Sequence, residues 1–303
     1  MTGLRRLVWI LPLLAAVAAA LVLNRNRERV RRWLAPCCAA VILFCAALVV
    51  PELIRVPGMT VTAVDVGQGQ CLVIRSGTAV AVADCGSTSA EDPADRLAAW
   101  LRGQGVTQID LLLLTHYHYD HCGGVPDLLK KMPVRSALLP PPDDEVTWDE
   151  TIARLADRYG CSVRTVGDAP ERIELGEASV RVWPPPADGG EENERCLAFL
   201  FTQGDFDVLV TGDMPADGER ALVSTGTLPD AEVLVAGHHG SAGSSCEELL
   251  EALRPEIVLI SVGKNEYGHP VGSALRRFER CGAEVLRTDE LGTITVTSDM
   301  EVR

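Results

Sequence analysis

Residues 109–124 read Ile-Asp-Leu-Leu-Leu-Leu-Thr-His-Tyr-His-Tyr-Asp-His-Cys-Gly-Gly. Ile109–Thr115 carries five apolar residues in a short run, the pattern of a strand buried on both faces. Three of the six histidines, His116, His118 and His121, follow it at once, with Asp120 between the last two. The end of a strand opening into a loop is where an α/β protein displays its functional side chains. Alternation sends His116 and His118 to one side, and a turn brings Asp120 and His121 around. Imidazole and carboxylate in one loop suit a zinc- or manganese-class ion. Four such residues exceed what one open site takes from one loop, so two ions are expected. Gly123-Gly124 then allows a tight turn into a helix.

Outward from this loop the chain alternates short apolar strands with amphipathic stretches. Strands are expected at Met59–Val66, Cys71–Arg75, Ala79–Ala83, Cys196–Thr202, Asp207–Thr211, Glu232–Ala236, Glu256–Ser261, Glu284–Arg287 and Thr293–Thr297. Helices are expected at Asp92–Arg102, Gly124–Lys131, Trp148–Tyr159, Pro215–Ser224, Cys246–Leu253 and Val271–Cys281. Two halves of this kind predict two sheets flanked by helices. Two further strand ends carry chemistry: Thr211-Gly212-Asp213, whose carboxylate can bridge two ions, and His238-His239-Gly240-Ser241. His269 sits in the turn Asn265–Pro270, and Asp84 is expected to buttress the metal loop.

The first 58 residues differ in kind. They hold eight Arg and two Glu, which leaves 20 of the 28 basic and 40 of the 42 acidic residues in 59–303, a formal charge of −20. Leu7–Leu23 and Leu34–Val50 are uncharged apolar runs separated by Asn24–Arg32, which contains five Arg. A hairpin of two short membrane spans is expected at 1–58, its Arg-rich loop cytoplasmic and the body, 59–303, extracytoplasmic. A cleaved signal peptide ending near Ala18–Ala20 is the competing reading, and it puts the body on the same side. The acidic body argues against a general binder of nucleic-acid duplexes. The ten Cys form no C-x-x-C pair, so a zinc ribbon or thioredoxin-like site is disfavoured and buried free thiols are expected.

The H-x-H-x-D-H loop after a hydrophobic strand resembles the metallo-β-lactamase superfamily. Asp65-Val66-Gly67-Gln68-Gly69-Gln70, Ala83-Asp84-Cys85-Gly86, Thr211-Gly212-Asp213, His238-His239-Gly240-Ser241 and Tyr267-Gly268-His269-Pro270, in this order, resemble the C-terminal hydrolase domain of ComEC-family DNA-uptake proteins. The resemblance implies an αββα sandwich over 59–303, two divalent ions (zinc or manganese) and phosphodiester hydrolysis. It implies that His116 and His118 hold one ion and Asp120 and His121 the other. Asp213 bridges, and His238 completes the second site. Asp120 or Asp213 would orient the attacking water, His239 or His269 would protonate the leaving oxygen, and Asn193 would also face substrate. Expected partners are single-stranded DNA, the membrane and a separate channel-type membrane protein, since two spans make no channel. Hydrolysis of a small phosphodiester or phosphocholine-type ester is the alternative, and a non-catalytic module that binds DNA or a partner is the rival. Two departures stand out: Gln70 replaces the family's usual Asp, and 192–196 lacks the third His that many superfamily members place there.

Overall fold

The strand at the metal loop is apolar at all positions but Asp110 because it is covered twice. In the computed structural model, which describes residues 56–142, 148–186 and 191–303 and a few helical positions between 36 and 44, Leu111 and Leu113 face a second sheet. Ile109, Leu112 and Leu114 face helices. The first sheet is built from β1 (Val56–Ala63), β2 (Leu72–Gly77), β3 (Ala79–Ala83), β4 (Ile109–Leu113), β5 (Val134–Leu139) and β6 (Ser162–Thr165). The second comprises β7 (Glu171–Leu175), β8 (Ala178–Trp183), β9 (Ala198–Gln203), β10 (Phe206–Val210), β11 (Val233–Val235), β12 (Ile257–Ile260) and β13 (Glu284–Arg287). The last strand, β14 (Ile294–Thr297), returns to the first sheet and pairs antiparallel with β1, Val61 opposite Val296. The sheet orders are β14-β1-β2-β3-β4-β5-β6 and β13-β12-β11-β10-β9-β8-β7.

Helices cover both outer faces. On the first sheet lie α1 (Pro93–Gly103), α3 (Val125–Lys131) and α4 (Trp148–Arg158), with the one-turn α2 (Tyr119–Cys122) inside the metal loop. On the second lie α5 (Ala216–Ser224), α6 (Glu247–Leu253) and α7 (Gly272–Cys281), followed by the short α8 (Thr288–Leu291). Helix α1 starts where Asp92 accepts the Ala94 N–H at 2.9 Å, with Pro93 in its first turn. The result is the expected αββα arrangement. Its central layer is set by period 2: Phe199, Phe201, Val208 and Val210 point at the first sheet, while Leu200 and Leu209 point at the helices.

Topology gathers the site. β3 and β4 are parallel neighbours, and so are β10, β11 and β12. Their C-terminal ends therefore release Asp84, the His loop, Asp213, the His238–His239 turn and Ser261 from matching edges of the two sheets.

Several expectations shift. The chain divides into compact units at Arg55/Val56, three residues before the expected boundary, and β1 begins there. β5, β6, β7 and β8 were not anticipated. The two spans expected at 7–23 and 34–50 lie outside the described residues save for the few positions noted; among the described residues no helix is long and apolar enough to cross a membrane. All seven body cysteines are free, six of them buried.

Phe201 is wholly buried between the sheets. Phe201→Ala should lower unfolding stability by about 3–5 kcal/mol in a urea titration. A loss below about 1 kcal/mol would contradict its place in the central layer.

Candidate metal centre

A single buried carboxylate organises the first half of the site. Asp84, at the end of β3 with φ 60°, is fully buried. Its Oδ1 accepts the Thr115 N–H at 2.8 Å. Its Oδ2 accepts from the Thr115 hydroxyl (2.7 Å), the Gln70 amide (2.8 Å) and His121 Nδ1 (2.8 Å). Gln70 thus serves as a donor where an Asp would set a second carboxylate beside the first. Gly86 has no room for a side chain: a Cβ there would lie 2.3 Å from Asp120 C and His121 N. His118 caps α2 in extended backbone, and one helical turn swings Asp120 and His121 inward.

The hydrogen bonds also settle which ring nitrogens face the cavity. Asp84 can only accept, so His121 carries its proton on Nδ1. Thr115 Oγ1 already donates to Asp84, so it accepts from His116 Nδ1 at 3.1 Å. Ser261 O accepts from His239 Nδ1 at 2.7 Å. Three Nε2 atoms are thereby turned inward, and none of them, nor Asp213 Oδ1, has a hydrogen-bond partner although all are buried.

The second half is held under backbone strain. Gly212, at φ 56°, lets the Thr211–Asp213 turn pass Thr115, whose side chain a Cβ would meet at 2.8 Å. His238 and His239 are consecutive non-glycine residues in the left-handed region, at φ 50° and 54°. The loop that follows is clamped twice. The buried Glu219 carboxylate accepts the Ser245 and Cys246 N–H groups, both at 2.7 Å. The Arg277 guanidinium donates to the carbonyls of Ser244 (2.6 Å) and Ser245 (3.1 Å). Burial pushes the Glu219 carboxyl above its ordinary range, against those two N–H donors.

All six histidines form one chain of neighbouring rings, His118–His116–His121–His239–His238–His269, with successive centroids 4.2–6.4 Å apart. Ligand-type atoms fall into two groups, Asp120–His121–Asp213–His239 and His116–His118–Asp213, the atoms of each within 4.8 Å of one another. Asp213 belongs to both. His121 Nε2 lies 3.0 Å from Asp213 Oδ1, and His239 Nε2 lies 3.4 Å from Asp120 Oδ2. His239, which the resemblance aims at substrate, sits in the second group. His238, which it assigns to an ion, stands half-exposed at the rim with Nε2 3.4 Å from Asp213 Oδ2. His269 is also at the rim, and Asn193 is not among the residues lining the cavity.

The charges suit a bound cation. Burial disfavours the His121 imidazolium, but Asp213 and Asp84 override it and hold its pKa well above the usual range. Burial also opposes the Asp213 carboxylate, yet His121, His239 and His116 hold its pKa well below normal. Burial, reinforced by His121, depresses His116. Inward lone pairs and a buried carboxylate need either a proton or a metal ion between them, and the imidazole–carboxylate set fits a divalent metal ion.

The cavity above these groups holds about 360 Å³ and is rimmed by Gln68, Thr88, Tyr119 and Tyr267 as well as His118, His238 and His269. Sequence reasoning missed Glu219, Arg277, Gln70 and Glu192. Glu192 occupies the stretch where a third His is absent and binds the metal loop at the Tyr117 N–H, 2.6 Å away. None of them carries a local signal: Glu219, Arg277 and Glu192 bind backbone far away in sequence, and Gln70 binds the Asp84 side chain 14 positions on.

Residues 64–264 match the family model described as the metallo-beta-lactamase superfamily. The chain is 34% identical over 202 residues to ComE operon protein 3 of Bacillus subtilis, covering 65% of this chain and 26% of that protein. It is 30% identical over 288 residues to Competence protein ComA of Neisseria gonorrhoeae, covering 94% of this chain and 38% of that one. It therefore spans between about a quarter and two-fifths of the length of these relatives. Among solved structures, the metallo-beta-lactamase fold protein YhfI from Bacillus subtilis superposes with a TM-score of 0.57 at 13% identity, over 79% of this chain and all of that one. That likeness concerns the fold alone.

Asp84→Asn removes the acceptor that orients His121 and should weaken metal affinity about 10–100-fold by titration calorimetry; unchanged affinity would contradict the buttress. A metal ion entering the second group displaces the His121 proton. Because that pKa is raised, apparent affinity should climb with pH across neutrality and level off only above it. Calorimetry in buffers of different ionisation enthalpy should register proton release, and none would contradict a protonated His121.

Proposed function

The chain belongs to the metallo-β-lactamase superfamily, and we propose that it is a membrane-anchored phosphodiesterase that works with two divalent cations, zinc or manganese. The observation that carries this reading is the pair of ligand groups joined by Asp213, with three buried Nε2 atoms aimed inward. His116, His118 and Asp213 would hold one ion; Asp120, His121, His239 and Asp213 the other. Bound there, such ions supply Lewis acidity, which acidifies water and offsets charge on phosphoryl oxygens.

The chain's own groups do the rest. Asp120 and Asp213 stay ionised, since nearby imidazoles hold both well below the ordinary carboxylate range despite burial. Either can accept a hydrogen bond from the attacking water and so orient it. Burial and neighbouring imidazoles depress His269, and burial depresses His238. A neutral ring delivers a proton poorly but donates a hydrogen bond well. These two rim histidines therefore suit holding a phosphoryl oxygen, in place of the acid role expected for His239 and His269.

Relatives named for competence support a role in DNA uptake. The chain spans a minor part of those proteins, and a channel-type membrane protein is the proposed partner. The Arg-rich loop at 24–32 supports an extracytoplasmic body anchored through 1–58. The formal −20 of the body favours a second reading, hydrolysis of small phosphodiesters in preference to long polyanions.

The full chain in detergent should hydrolyse bis(p-nitrophenyl) phosphate and single-stranded DNA, lose both activities in chelator, and regain them with zinc or manganese. Asp213→Ala should cost at least about a thousandfold in kcat. Metal binding without turnover of any diester would replace this reading with a non-catalytic binding module.

A further inference from the structure

Two exposed aromatic rings stand at the mouth of the cavity. The chain contains only four tyrosines. Tyr117 is buried and Tyr159, 45% exposed, does not line the metal cavity, whereas Tyr119 (54% exposed) and Tyr267 (68% exposed) both line it. They come from different halves of the fold, Tyr119 from the loop after β4 and Tyr267 from the loop after β12.

Each ring is placed by its surroundings. Tyr119 lies beside the Trp148 ring, with centroids 5.9 Å apart. Gly123 makes room for it, since a Cβ there would meet two atoms of the Tyr119 ring at 2.8 Å. Tyr267 lies beside the His269 ring, 5.9 Å away at 30°. Its turn is pinned by Asn265, whose Nδ2 donates to Gly263 O and His269 O, both at 2.8 Å, and whose Oδ1 accepts the His269 N–H at 3.0 Å.

Resting on the phosphodiesterase reading, we infer that Tyr119 and Tyr267 form a base-stacking subsite, so that the site takes an unpaired nucleotide with its phosphodiester over Asp213. Exposed aromatic faces beside a phosphate-handling centre are what a base needs, and stacking is indifferent to sequence. The cavity, about 360 Å³, is of a size for one nucleotide and not for a duplex. A paired base has its faces covered by its neighbours, so the subsite selects single strands or strand ends. A quaternary ammonium would also be attracted to tyrosine faces. Here, however, it would sit beside two divalent cations, a like-charge arrangement that a neutral base avoids. Taking one nucleotide at a time also relieves the conflict between an acidic body and a polyanionic substrate.

The test compares a single-stranded trinucleotide with its abasic counterpart, using the full metal-loaded chain. KM is measured by hydrolysis, and affinity by anisotropy of the labelled ligands. The parent should favour the base-bearing ligand in both readouts. Tyr267→Ala and Tyr119→Ala should shrink that preference about 5- to 150-fold in total, the size of a lost base–aromatic stack, while Tyr267→Phe should retain it. An equal preference in the parent, or one that survives both alanine substitutions, overturns the subsite. If the parent cleaves no diester yet still binds the base-bearing ligand preferentially through these tyrosines, the subsite stands and the phosphodiesterase reading falls.

Discussion

The Asp84 carboxylate is the constraint on which the rest of the centre depends. Four hydrogen bonds reach it from three segments: Gln70 from the turn after β1, Thr115 from the end of β4, and His121 from α2. A carboxylate buried without such donors would be strongly unfavourable, and each donor left without it would be an orphan. The cluster is therefore stable only as a unit. It couples the end of one sheet to the orientation of an imidazole, and through Thr115 to the tautomer of a second. Nothing in the strand pattern alone would turn three Nε2 atoms toward one point.

The second sheet answers with a different device. Its contribution rests on strained backbone, two consecutive left-handed histidines, held by a buried Glu219 and by Arg277. The two halves meet at Asp213, which faces His121 and His239 through Oδ1 and His116 and His238 through Oδ2. Three inward-facing imidazoles and the rim histidine His238 surround this one carboxylate, which would lie between two cations in the proposed reading. The sandwich supplies rigidity: parallel β10, β11 and β12 deliver these residues from fixed, fully buried positions.

Much of this was legible in the residues, and the illegible part has physical causes. Ile109–Thr115 read as a buried strand because both its faces are covered, and His116–His121 read as metal ligands because they are contiguous. The helix at Trp148 was likewise legible, and the strand Ala79–Ala83 showed as an apolar run bounded by turns. β6 and β7 were not, because Ser162–Thr165 and Glu171–Leu175 lie at sheet edges and carry charged or polar residues on their exposed positions. The roles of His238 and His239 depend on φ angles that no pattern of residue types encodes. Glu219 looked like an ordinary helix residue, since its partners lie 26 and 27 positions away. Gln70, a departure from the family's usual Asp, is a donor to Asp84.

The proposed chemistry needs two cations that share Asp213. Anomalous diffraction from crystals grown with zinc or manganese, collected on both sides of the metal absorption edge, addresses this directly. Two peaks per chain are predicted, one bounded by His116 and His118 and the other by Asp120, His121 and His239, with Asp213 touching both. A single peak, or two that leave Asp213 uncoordinated, would contradict the account.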